Sequence, residues 1–184
     1  MESNNTTLAM KVFEFFQALF DFLAENDYTL WDHEAYVLVP LLCDKSGLNN
    51  HVLKEKVKIL IKQCFEMYDP KKCLGLVIKF GAGSKNLKSV AESLDEMCIF
   101  MKANGLDYLT EKDLKFVAKL ADSGDKGVRE GALSVLAEAY KAIDEDIWRV
   151  VGNVTVKAKG LLEGRFRKIK GLGASSSTAN LVVP

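Results

Sequence analysis

The chain has 184 residues, and its 25 Lys+Arg against 25 Asp+Glu leave a formal net charge of zero. With 48% hydrophobic and 27% charged residues it has the composition of a folded globular chain rather than a disordered one, long enough for one domain or a short array of repeats. Its apolar runs fall far short of the ~20 residues of a membrane span, and Met1 to Asn5 does not read as a secretory signal. The expectation is neither a membrane protein nor a secreted disulfide scaffold.

In chain order, the first element is a helix. Leu8, Val12, Phe15, Phe16, Leu19, Phe22 and Leu23 recur at three- and four-residue spacing. A shorter apolar segment from His33 to Cys43 contains Pro40, and a polar connector over 44–50 follows. Val57, Leu60, Ile61, Cys64 and Phe65 form the next stripe. Asp69-Pro70 opens another helix, because Pro fits a first helical turn. The run 74–80 is ambiguous between helix and strand by period alone, and 81–86 reads as a turn. Val90, Leu94, Met97 and Met101 mark a further helix. Thr110 caps a shorter one over 111–121, the polar turn 122–127 follows, and Val128, Ala132, Val135, Leu136 and Tyr140 make the next stripe. A short segment 147–151 and a basic helix complete the pattern, and from Gly171 the residues 171–184 read as a flexible tail. The fold class is all-α.

Little here points to catalysis. Cys43, Cys64, Cys73 and Cys98 are 21, 9 and 25 residues apart, which fits no zinc pattern, and each lies in an apolar stretch as a small hydrophobe would. His33 and His51 stand alone at helix starts. The stretch Gly81-Ala82-Gly83-Ser84-Lys85 after an apolar run is a decoy for a phosphate loop: the Walker spacing is absent, and Lys85 is followed by Asn86. No enzyme, cofactor or metal is expected.

The elements repeat. Comparable openings of the longer helices fall at Thr7, Val52, Leu87 and Val128, separated by 45, 35 and 41 residues, which brackets a HEAT or armadillo unit. Stacked helix pairs of this kind bury a core that no single pair can bury alone. Residues 114–133 carry an apolar helix, Asp122, a tight polar turn, and Val128-Arg129 before small residues, and they resemble the HEAT consensus. Pro40 resembles the proline that kinks the first helix of many HEAT units. The predicted architecture is a HEAT-repeat α-solenoid of antiparallel helix pairs.

Several stretches resemble the TOG domains of the ch-TOG-type microtubule polymerases, and most of all a later domain, about the fourth, of the plant members. These are residues 2–7 with the helix that follows, Tyr28-Thr29-Leu30, residues 146–152 and the basic stretch 164–168. The resemblance covers about residues 2–170 and implies a partial TOG domain over 1–170 of about four and a half helix pairs. It implies that the chain starts inside the second repeat, as a fragment or a short member of a multi-TOG protein, so that Phe13 and Phe16 lose their cover. It further implies a non-catalytic module for αβ-tubulin or the microtubule, in the cytoplasm and on the spindle. The intra-pair loops would make the contact, which here carry Asn5 and Thr6; Lys45, Asn49 and Asn50; Ser84, Lys85 and Asn86; and Lys126 with Arg129, the last competing with a role in the stack. Trp31 and Trp148 are expected in core or seam packing.

Residues 149–170 hold seven basic residues and one acidic residue, a segment of +6 against −6 for residues 1–148. That segment lacks interleaved aromatics, so no sequence-reading contact with nucleic acid is expected. It is either a surface for the acidic lattice or a solvated last face. The alternative to tubulin binding is a HEAT scaffold for another protein, or a spacer.

Overall fold

The computed structural model describes the backbone of residues 2–176 and the side chains of residues 6–171. Among these residues every regular element is helical and no strand occurs. The chain divides into two compact units, Met1–Met97 and Cys98–Pro184, with the boundary inside one helix.

The first unit contains α1 (Glu2–Glu25), α2 (Asp32–Ser46), α3 (His51–Met67), α4 (Pro70–Leu76) and the part of α5 (Leu87–Asn104) that ends at Met97. The ambiguous run after Leu74 is helical: α4 passes directly into a π-helical turn, Val77–Ala82. Both α1 and α2 pack on α3, while α4 and its π turn pack on α2. Phe20, Val39, Leu60, Ile61, Leu74 and Leu94 form the centre of this core. Full burial of such a side chain contributes at most about 1.5–3 kcal/mol. Local chemistry sets the helix starts. Asn50 Oδ1 accepts from the Leu53 N–H at 3.1 Å, and Asp69 accepts from the Lys72 N–H at 2.8 Å with Pro70 in the first turn. Pro40 lies inside α2, as expected.

Two expectations for this unit are corrected. Asn5 and Thr6 do not lie in a loop, because α1 already runs from Glu2. Residues 2–25 contain no glycine or proline, so nothing there breaks the helix. Trp31 is 66% exposed rather than packed. It precedes α2, where its N–H is held by the Glu34 carboxylate at 2.9 Å while its ring faces solvent beside His33. The outcome for α1 is mixed. Phe13 is buried and Phe16 half-buried, whereas Leu8, Val12, Phe15 and Phe22 are the exposed large apolar residues.

The second unit contains the end of α5, then α6 (Glu111–Leu120), α7 (Lys126–Ile143), a 3-10 turn (Asp144–Asp146), α8 (Ile147–Val151) and α9 (Val156–Ser176). Thr110 and Asp113 form a reciprocal capping box at the start of α6. Asp125 caps α7 by accepting from the Val128 N–H at 2.9 Å. α7 is the centre: α6, α8 and α9 all pack against it. On α9, Ala158, Leu162 and Phe166 are buried at i, i+4, i+8. Phe166 stacks on Tyr140 at 3.9 Å between centroids and meets the half-buried Trp148 edge-on at 5.4 Å, so Trp148 is the seam residue expected. Residues 171–176, read as tail, continue α9; a glycine at 171 weakens a helix but does not stop one already anchored by packing. Residues 177–184 lie outside the described residues. Among the described residues no helix is long and apolar enough to cross a membrane.

Candidate functional site

In the first unit the turn between α2 and α3 (47–50) lies against the turn between the π segment and α5 (83–86). Ser89 Oγ donates to the Asp44 carbonyl at 3.1 Å, and the Lys88 ammonium bonds Asn49 Oδ1. Gly47 permits the contact: a Cβ there would stand 2.5 Å from Ser89 Oγ and 2.7 Å from Asn86 Nδ2. Further along, Glu92 on α5 receives Lys54 at 2.7 Å and Lys58 at 3.0 Å from α3. Burial works to raise the Glu92 pKa, but the two ammonium groups hold it below the usual carboxylate range. The turns are thus neighbours on a braced frame, although Asn49 and Lys88 are 39 residues apart in sequence.

The expected site residues divide by role. Thr6, Lys45, Asn49 and Asn50 line one groove, so the first two sets come together. The side chain of Asn5 lies outside the described residues. Asn50 caps α3. Asn86 accepts from the Lys88 N–H at 3.1 Å, and Ser84 Oγ accepts from the Asn86 N–H at 3.1 Å. These three side chains shape the turns. Lys45 pairs with Asp44 at 2.8 Å. Lys85 is exposed with no ion pair among the described residues. Lys88, the second residue of α5, belongs to this surface and was missed because loop composition alone defined the candidates.

In the second unit the turn between α6 and α7 is 121–125. Arg129 Nη1 donates to the Ser123 carbonyl at 2.9 Å and more weakly to that of Gly124 at 3.4 Å, so the guanidinium is engaged in bracing its own turn. Asp122 bonds the Thr155 hydroxyl just before α9, a turn-to-turn tie of the kind the HEAT consensus implies. Lys126 is exposed at the first position of α7. Much of the basic segment is neutralised within the unit: Arg165 pairs with Glu130, Lys170 with Glu145 at 2.7 Å, and Arg149 with Glu111 at 3.5 Å. Lys157 and Lys168 stay on the solvent side.

Cys43, Cys64 and Cys73 lie within electrostatic reach of one another in the first unit, while the two imidazoles stand at the surface. All four cysteines are buried, and burial pushes the thiols of Cys43 and Cys64 up to about 12. His33 and His51 are exposed on the first turns of α2 and α3. Among the described residues no group of three or more His, Cys, Asp or Glu could hold a metal.

Helix pairs that present their short turns as a polar edge define a repeat-type binding module. Residues 4–155 match the family described as XMAP215/Dis1/CLASP, TOG domain, and the chain belongs to that family. It is 36% identical over 165 residues to Protein MOR1 of Oryza sativa subsp. japonica and 32% identical over 165 residues to Protein MOR1 of Arabidopsis thaliana. Each match covers 89% of this chain and 8% of the relative, so the chain spans under a tenth of those proteins. A solved structure from work described as "TOG-tubulin binding specificity promotes microtubule dynamics and mitotic spindle formation" superposes with a TM-score of 0.83 at 23% identity, over 88% of this chain and 61% of that one. The fold is that of TOG domains, HEAT-repeat arrays of helix pairs.

Proposed function

We propose that the chain is a non-catalytic tubulin-binding module. It engages αβ-tubulin or the microtubule through its intra-pair turns, as part of a longer multi-TOG polypeptide in the cytoplasm and on the spindle cytoskeleton. Family membership supports the partner, and one geometric feature supports the surface: the clamped turns of the first unit, which hold Lys85 and Lys88 outward beside Asn49. A braced turn loses little conformational entropy on binding. Exposed ammonium groups are individually worth well under ~1 kcal/mol, so a row of them acts on encounter and orientation more than on affinity. Protonated, buried thiols and two separated surface histidines support the non-catalytic reading.

The test is size-exclusion co-elution with unpolymerised tubulin at low and moderate salt. The wild-type chain co-elutes at low salt, and Lys85→Glu/Lys88→Glu weakens the complex about tenfold or more. Lys45→Glu alone has a smaller effect, because Asp44 already neutralises Lys45. Unchanged co-elution of the double variant overturns the surface, and a wild-type chain that ignores tubulin leaves the scaffold or spacer reading.

A further inference from the structure

The face that α5 turns to α3 carries more carboxyl groups than cations. Glu92 and Glu96 stand four residues apart on α5, one helical turn, and so share a side of the helix. Opposite them on α3, Lys54 and Lys58 are also four apart, with Glu55 between them in sequence. Glu92 takes both ammonium groups. Lys54 donates a hydrogen bond to it at 2.7 Å, while Lys58 stands 3.0 Å from the other carboxylate oxygen, which accepts no hydrogen bond. Lys58 is therefore held by charge alone and is the looser of the two. Glu96 is 8% exposed, and among the described residues neither a hydrogen bond nor an ion pair reaches its carboxyl group. The ionisable groups around it are Lys58 and Glu55 from α3, Glu92 and Asp95 from α5, and the Cys43 thiol from α2.

We propose that this cluster is a proton-operated brace: Glu96 carries a proton while Glu92 holds both lysines, and when that proton leaves, Lys58 swings one turn along α5 from Glu92 to Glu96. The move leaves neither carboxylate without a cation, because Lys54 stays on Glu92. Burial raises the Glu96 pKa from 4.5 to about 7; Lys58 opposes the rise, and Glu92, Asp95 and Glu55 add to it. The exchange of partners therefore falls near neutral pH. The packed carboxyl group holds its proton more tightly than an exposed one, so a rise in pH favours the opening of α5. With an ordinary carboxyl value when open and about 7 when packed, opening becomes about tenfold more frequent between about pH 6 and pH 8. Glu92 is four residues from Lys88, so the brace stands one helical turn behind the clamped turns of the first unit.

Amide hydrogen exchange over 87–97, together with carbon NMR of the side chains, tests this on the full chain without tubulin. After correction for the intrinsic pH dependence, exchange in this segment speeds up about tenfold from about pH 6 to pH 8 in the wild type. It stays level in Glu96→Gln, an isosteric change. The Glu96 carboxyl carbon and the Lys58 side-chain carbons titrate with one midpoint near pH 7, and the Lys58 change is absent from Glu96→Gln. Lys58→Met, which keeps most of the stem, moves the Glu96 midpoint upward, because the opposing cation is gone. A Glu96 carboxyl group that titrates below about pH 5.5 overturns the proposal. Exchange that depends on pH equally in Glu96→Gln, or Lys58 signals that do not follow Glu96, overturns it as well.

Discussion

Gly81→Ala tests why glycine stands in the stretch that mimics a phosphate loop. Gly81 is buried in the π turn after α4, and a Cβ there would stand 2.1 Å from Ser93 Oγ, 2.8 Å from Ser93 Cβ and 3.2 Å from Cys43 Sγ. The Ser93 hydroxyl can rotate away, but its Cβ is fixed to α5. The π turn and α5 must therefore separate by several tenths of an ångström. Overpacking of this kind costs about 1–3 kcal/mol, offset in part by the ~0.5–1 kcal/mol alanine gains over glycine in a helix. A net loss of about 1–2 kcal/mol lowers Tm by about 2–8 °C in a chain of this size. Gly75→Ala is the opposite case, since its Cβ would meet nothing within 4 Å near the end of α4, where the helix runs on into the π turn. It raises Tm by about 1–3 °C. Thermal unfolding followed by circular dichroism reads both, and Ser93→Gly in the Gly81→Ala background shows positive coupling in a double-mutant cycle. A Gly81→Ala variant as stable as the wild type refutes the reasoning.

Further outcomes follow from single groups. Burial raises the pKa of Glu96 from 4.5 to about 7; nearby Lys58 opposes this, and Glu92, Asp95 and Glu55 add to it. The folded state therefore holds this proton more tightly than the unfolded state does. Its contribution is full below pH 4.5 and is lost as pH rises through about 7. Glu96→Gln accordingly stabilises the chain by on the order of 1–3 kcal/mol at pH 8 and little at pH 4.5, in urea unfolding at the two pH values. Asp125→Ala removes the α7 cap and costs about 1 kcal/mol in the same assay, while Asp125→Asn retains most of it. The four buried thiols stay unreactive to a disulfide reagent at pH 8 until the chain unfolds, and fast labelling of any of them contradicts their placement.

Much of this fold was legible because period reports burial. Val57, Leu60, Ile61, Cys64 and Phe65 were read as one stripe; the first four are buried in α3 and Phe65 is half-buried. The same rule was misleading for α1, whose apolar residues occupy two faces: the stripe picked by spacing contains the exposed Leu8, Val12, Phe15 and Phe22, and it leaves out Phe13 and Phe20, which are buried. Trp31 was misplaced for a related reason, since size favours burial while its position ahead of α2 leaves the ring outside. The polar turns were found by composition, yet composition does not separate a capping side chain from a presented one. Asn50 and Asn86 cap helices, whereas Lys88 emerges only when two distant turns meet. Gly47 and Gly81 read as loop punctuation, and their reason, close approach of α5, is non-local.

Amide hydrogen exchange with and without unpolymerised tubulin tests the central claim most directly. Exchange at 44–54 and 83–90, the braced turns of the first unit, slows when tubulin is added, and the slowing is lost in Lys85→Glu/Lys88→Glu. Tubulin that protects other segments while leaving both turns unchanged contradicts the account.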